Sequence, residues 1–147
     1  MKNPFLFCFV LFLTIGLFGC SSEEENLSFP KDSSMLMVAG NGLERYFPEA
    51  KNPSAKQIVF EQTEEIDMFI KAMKNSSLHS GPMTGEGENF QLTFSPQKGT
   101  SETFLLWLNF DGTSGRVEQE NRDGQIHLLS EESVQDIEEL LAEKSRR

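Results

Sequence analysis

Residues 103–110, TFLLWLNF, constrain the fold more than any other stretch. Phe104, Leu106, Leu108 and Phe110 recur at period two, so an extended chain places all four on one face. Leu105 and Trp107, the chain's only tryptophan, fall on the other. A strand apolar on one side and half apolar on the other belongs in the middle of a sheet. The spacing therefore predicts an antiparallel sheet centred on this strand, with amphipathic helices covering the Phe104 face.

Two segments supply the helices. From Thr63, the residues Ile66, Phe69, Ile70 and Met73 are spaced i, i+3, i+4, i+7, which forms one buried stripe. The Thr63 hydroxyl is placed to cap. Glu64, Glu65 and Asp67 put negative charge at the positive helix end, and Asn75-Ser76-Ser77 stops it. Ser130 is the expected cap of the second helix, with Glu131 and Glu132 in its first turn. Val134, Ile137, Leu140 and Leu141 form its stripe, and Lys144, Arg146 and Arg147 complement its C-terminal end.

The other strands read as residues 35–39 (MLMVA, ended by Gly40-Asn41-Gly42), 56–61 (KQIVFE) and 90–95. A last hairpin is made by 116–120 and 125–129 across Asn121-Arg122-Asp123-Gly124. Residues 43–55, with Pro48 and Pro53, are expected to be a long loop pinned by Tyr46 and Phe47. Residues 78–88, with Gly81-Pro82, Gly85 and Gly87, are expected to be another. The order β-β-α-β-β-β-β-α points to the α+β class: an antiparallel β-sheet with two helices packed on one face. The position of the 35–39 strand in the sheet stays open.

The chain begins with an address. Lys2 precedes an almost wholly apolar run from Phe5 to Phe18, long enough for a secretory signal but short of the roughly 20 residues of a spanning helix. The run ends in Leu17-Phe18-Gly19-Cys20, which resembles the lipobox of bacterial lipoprotein signal peptides. Phe18 is bulkier than that family usually places there. The resemblance implies cleavage before Cys20 and lipidation of that cysteine. An uncleaved anchor, or an ordinary signal peptide with a coincidental cysteine, is the alternative. The expected layout is a signal peptide at 1–19, lipidated Cys20 with a flexible acidic tether to 34, and a single α+β domain at 35–147.

The other cysteine, Cys8, leaves with the signal peptide, so the mature domain would hold no thiol, no disulfide and no cysteine metal ligand. Losing Lys2 leaves 12 basic side chains against 23 acidic ones. A domain so acidic should not bind nucleic acid or anionic lipid through its general field.

Several segments carry a resemblance: IVFEQTEEIDMFIKAMKNS, the Gly-Pro loop, FQLTF, FLLWLNF and IHLLSEESVQDIEELL. In spacing and residue class, from about Lys56 onward, they resemble the YhfM-like family of uncharacterised Bacillus-type lipoproteins. The resemblance implies a lipid-anchored α+β domain on the extracytoplasmic face of a Gram-positive-type cell membrane. It supplies no activity and no functional residue.

No catalytic motif stands out. His127 alternates with Ile126 and Leu128 and is expected on the outer sheet face with Gln125; His79 sits in a loop. A Zn²⁺ site of His127 with Glu118 or Glu120 is conceivable, but neither histidine has ligand spacing. Glu118 and Glu120, two apart on one strand, could do glycosidase acid/base work, though they fit an exposed acidic edge better. Asp111-Gly112-Thr113-Ser114-Gly115 lacks the length and closing glutamate of a calcium loop. Gly85-Glu86-Gly87 has carboxylates beside it and no following helix to cradle a phosphate.

The face opposite the helices holds the candidate partner-binding residues: Trp107, Leu105, Gln91, Thr93, His127 and Arg116. An aromatic ringed by polar side chains has the composition of a recognition patch, unless the chain itself covers it. The sequence thus favours a non-enzymatic, lipid-anchored surface domain that binds a protein or wall-associated partner, with no cofactor. A wall hydrolase using Glu118 and Glu120, and a cation-binding sensor module, are the alternatives.

Overall fold

The computed structural model describes residues 26–52, 56–82, 85–109, 112–122 and 124–147. Its elements, in order, are β1 (Ser33–Ala39), a 3-10 helix (Asn41–Arg45), β2 (Ile58–Phe60), α1 (Thr63–Lys74), β3 (Ser77–Leu78), β4 (Phe90–Pro96), β5 (Glu102–Leu108), β6 (Gly115–Gln119), β7 (Ile126–Leu129) and α2 (Glu131–Ser145). The strands form one sheet in the order β2-β1-β4-β5-β6-β7-β3, with every neighbouring pair antiparallel. The fold is α+β, and β5 is its middle strand, as the period-two pattern predicts. Phe110 lies outside the described residues.

The core sits between the sheet and the two helices. Phe90, Leu92 and Phe94 of β4 meet Phe104, Leu106 and Leu108 of β5, all buried. Leu36 and Val38 of β1, and Ile58 and Phe60 of β2, continue the layer. Helix α1 adds Ile66, Phe69 and Met73; α2 adds Val134, Ile137, Leu140 and Leu141. The Phe60 and Phe69 rings meet edge-on at 5.0 Å, joining β2 to α1. Truncating a ring this deeply buried costs about 3–5 kcal/mol. Glu65 of α1 ties the helices together: its carboxylate accepts from Lys144 Nζ of α2 at 2.8 Å.

Four details differ from the sequence reading. Thr63 is not the cap of α1; Gln62 occupies that position, and no side chain accepts a bond there. A short strand, β3, follows α1 and pairs with β7, at residues expected to begin a loop. The last hairpin is narrower, and Glu120 falls in its turn rather than on β6. The domain also begins earlier than Met35. Ser33 and Ser34 are already in β1, and Leu27 and Phe29 pack against the core. Phe29 stacks on Phe104 at 4.8 Å and meets Phe94 edge-on at 5.5 Å. The residues from 26 to 34 look like a tether in composition, yet Leu27 and Phe29 within them pack half-buried against the core.

The open question of the first strand is settled by pairing: β1 lies between β2 and β4. Gly40 and Gly42 then turn the chain sharply against β4. Gly40 has φ +124°, and a Cβ there would stand 2.4 Å from Asn89 O. A Cβ on Gly42 would stand 2.4 Å from the Phe90 ring, while its N–H donates to Asn89 O at 2.8 Å. Only glycine permits both the left-handed backbone and the close approach. The turn delivers Tyr46 and Phe47 to the helix side of the sheet, where they pack on the core. Burial and the nearby Glu138 carboxylate, partly offset by Arg45, push the Tyr46 phenol up to about 12.

Candidate functional site

Trp107 is half-buried on the face of the sheet away from the helices. Its cross-strand partner on β6 is Arg116. The guanidinium lies 4.5 Å from the centre of the indole, a cation–π contact that holds both side chains flat on the sheet. One backbone atom joins the pair to a loop. Glu86 O accepts from Trp107 Nε1 at 2.9 Å and from Arg116 Nη2 at 3.2 Å.

A hollow of about 200 Å³ opens beside the pair, lined by Glu86, Gly87, Asn89, Trp107, Asn109, Ser114, Gly115, Arg116 and Leu128. Asn89 is fixed in it by reciprocal bonds to the β5 backbone. Its Nδ2 donates to Leu108 O, and its Oδ1 accepts from Leu108 N, both at 2.9 Å. Asn109 donates through Nδ2 to Ser114 Oγ, and its backbone N–H donates to Ser114 O at 2.9 Å. The Asn89 amide is held by the β5 backbone, and the Asn109 amide by the Ser114 hydroxyl. That is the preorganisation a recognition site requires.

The rest of the outer face is accounted for by register. Gln91 stands opposite Leu105, Thr93 opposite Thr103, and Leu105 opposite Glu118. Met35, Val59 and Leu128 are exposed along it. The first strand cannot cover Trp107, because it lies in the same sheet two strands away. The 3-10 helix and Tyr46–Phe47 lie on the helix side. Among the described residues, the Arg116 guanidinium and the Glu86 backbone contact the indole.

His127 is not on this face. It pairs with Val117 across β6–β7 and is only 3% exposed on the helix side. Burial, and secondarily the charge of Arg122, hold its imidazole below the ordinary histidine range. The residues that take its expected place are Ile126 and Leu128, opposite Glu118 and Arg116. The reading missed them because Ile-His-Leu-Leu has apolar residues in both phases. The buried partner Val117 was the signal that fixes the phase. So of the six candidate residues, Trp107, Leu105, Gln91, Thr93 and Arg116 share a face, and His127 does not.

His127 and Glu118 project from opposite faces of the sheet, so they cannot share a metal. Glu118 Oε1 accepts from the Gly124 N–H at 3.1 Å, which gives that carboxylate a role in the hairpin turn. Glu120 lies in that turn, where its N–H donates to Thr103 O at 3.0 Å. Among the described residues, no group of three or more His, Cys, Asp or Glu side chains is arranged to hold a metal ion. Nor is any described helix long and apolar enough to cross a membrane. Cys20 lies outside the described residues.

No protein-family model matches the chain, and no curated protein matches it. A crystal structure of a provisionally assigned lipoprotein from Clostridium perfringens is similar at a TM-score of 0.47 and 10% identity, over 77% of this chain and 84% of that one. Likeness of that degree speaks to neither family nor function. The resemblance to the YhfM-like family therefore rests on the quoted segments alone.

Proposed function

We propose that this chain is a lipid-anchored extracytoplasmic domain that binds a protein or wall-associated partner through the sheet face around Trp107. The observation that carries the reading is the half-buried Trp107–Arg116 pair, stacked on the outer sheet face beside a hollow lined by Asn89 and Asn109. Tryptophan and arginine are the side chains most often found at the energetic centre of interfaces, where a large ring and a planar cation bury area at little entropic cost. The lipobox at Cys20 supports the anchor, and its lipid would place the domain at the outer surface of a Gram-positive-type membrane. Spacing-level resemblance to the YhfM-like lipoproteins agrees with that location.

The test is co-sedimentation of the full chain with purified cell walls, beside chemical cross-linking of the cell surface to detect a protein partner. Trp107→Ala should weaken the recovered interaction by about 30-fold, the equivalent of roughly 2 kcal/mol at a hot spot. Its thermal unfolding should stay cooperative. Unchanged association in a folded Trp107→Ala protein would remove the patch from consideration.

A further inference from the structure

A second cavity, of about 300 Å³, lies on the other side of the sheet, between the C-terminal end of α1, strand β7 and the first described residues of the chain. Met73 and Leu27 give it apolar walls, Lys74, Ser76 and Asn26 a polar rim, and His127 one side. His127 is 3% exposed, yet its Nε2 has no hydrogen-bond partner among the described residues. A buried imidazole nitrogen left in this condition costs free energy that a bound group would recover.

The electrostatics select the sign of that group. The chain carries 23 acidic side chains against 13 basic ones, yet none of the described residues lining this cavity is acidic. Lys74 lines it and stands over the Phe29 ring at 5.7 Å. Arg122 bears on His127 from the β6–β7 turn. In an otherwise acidic domain, this is a locally positive recess.

Its size and walls select the rest. A volume of about 300 Å³ lies at the lower end of small-molecule sites, and Met73 and Leu27 give it apolar walls. The roof is the segment carrying Asn26 and Leu27. Asn26 O accepts from Arg122 Nη1 at 2.8 Å, and Ser28 N–H donates to Gln119 Oε1 at 3.1 Å. Two hydrogen bonds and the half-buried Leu27 and Phe29 fix this side of the cavity.

We propose that this cavity binds a small amphipathic monocarboxylate. The carboxylate accepts from His127 Nε2–H near the Lys74 ammonium, and a short alkyl chain lies against Met73 and Leu27. Inorganic phosphate fits less well, because the apolar walls offer nothing to its remaining oxygens.

The test uses the full chain in a carboxylate-free detergent, labelled with ¹⁵N, titrated with hexanoate and, separately, with hexanol and inorganic phosphate. The readout is the imidazole nitrogen resonances. His79 is the only other histidine and serves as internal reference. Hexanoate should shift His127 saturably at millimolar concentrations and leave His79 in place. Lys74→Gln, an exposed substitution that leaves the core intact, should weaken binding about tenfold, the loss of one charge-assisted contact. His127→Leu, which removes the donor, should weaken it comparably, followed through the Lys74 Nζ resonance as hexanoate is added. No shift at His127, equal binding of hexanol or phosphate, or full affinity in folded Lys74→Gln would each overturn the proposal.

Discussion

At the scale of single residues, the burial of His127 ties part of the fold's stability to pH. Its imidazole is buried beside Arg122 and titrates below the ordinary value of about 6.5. The unfolded chain therefore takes up this proton first. As pH falls through about 6.5 toward the folded value, the unfolded state gains relative to the folded one, and stability declines. The limit for one proton is about 1.4 kcal/mol per pH unit. Urea unfolding of the wild type should show stability falling as pH drops through about 6.5, and His127→Gln should flatten that fall. Equal slopes in the two proteins would mean that carboxylates, not this histidine, set the response. The same residue shows where sequence reading stops. Trp107, Leu105 and Arg116 are legible as one patch because Phe104, Leu106 and Leu108 make one phase of β5 wholly apolar, which leaves the other phase for the outer face. His127 was not, because its strand is apolar in both phases, and the phase is imposed by pairing with Val117.

At the scale of elements, the two helices begin differently despite similar sequence signals. Ser130 and Thr63 both precede acidic residues, and both look like caps. Ser130 Oγ does accept from Ser133 N–H, at 3.1 Å. Thr63 is inside its helix, one residue past an uncapped Gln62. Ser130→Ala should cost about 1 kcal/mol, with an unchanged denaturant slope. Thr63→Ala, at an exposed site with no cap bond, should stay within about 0.5 kcal/mol. Equal losses in the two variants would contradict the assigned caps. The strand β3 was invisible for a related reason. Ser77-Leu78 has no periodicity of its own; it becomes a strand only because β7 offers an unpaired edge where α1 ends. Likewise, Leu27 and Phe29 sit in a polar, acidic run whose composition reads as tether. The burial of Phe29 depends on the gap left beside Phe94 and Phe104, which no local pattern reveals.

At the scale of the whole molecule, the packed N-terminal segment sets how the domain would stand on a membrane. If Cys20 carries lipid, only the residues from 20 to 26 separate the bilayer from the body. Even fully extended, they span about 20 Å. The chain joins the body where Asn26 meets Arg122 and Ser28 meets Gln119, at the Glu102–Thr103 end of β5. The Trp107 hollow lies at the other end of that strand, about 13 Å further along, and on the opposite sheet face. Short attachment at one end and recognition at the other would direct Trp107 away from the lipid, toward wall or solvent. Its position as the sole tryptophan makes this measurable. In proteoliposomes holding the lipidated chain, acrylamide in the water should quench the half-buried indole to an intermediate degree, and quenchers fixed to lipid headgroups should leave it largely unaffected. Removing Phe29 by Phe29→Ala should loosen the attachment and let the domain reorient, so that headgroup quenching rises while the emission maximum of Trp107 stays put. Strong headgroup quenching in the wild type would mean the sheet face lies on the membrane. The hollow would then be facing lipid, and a wall or protein partner could not reach it.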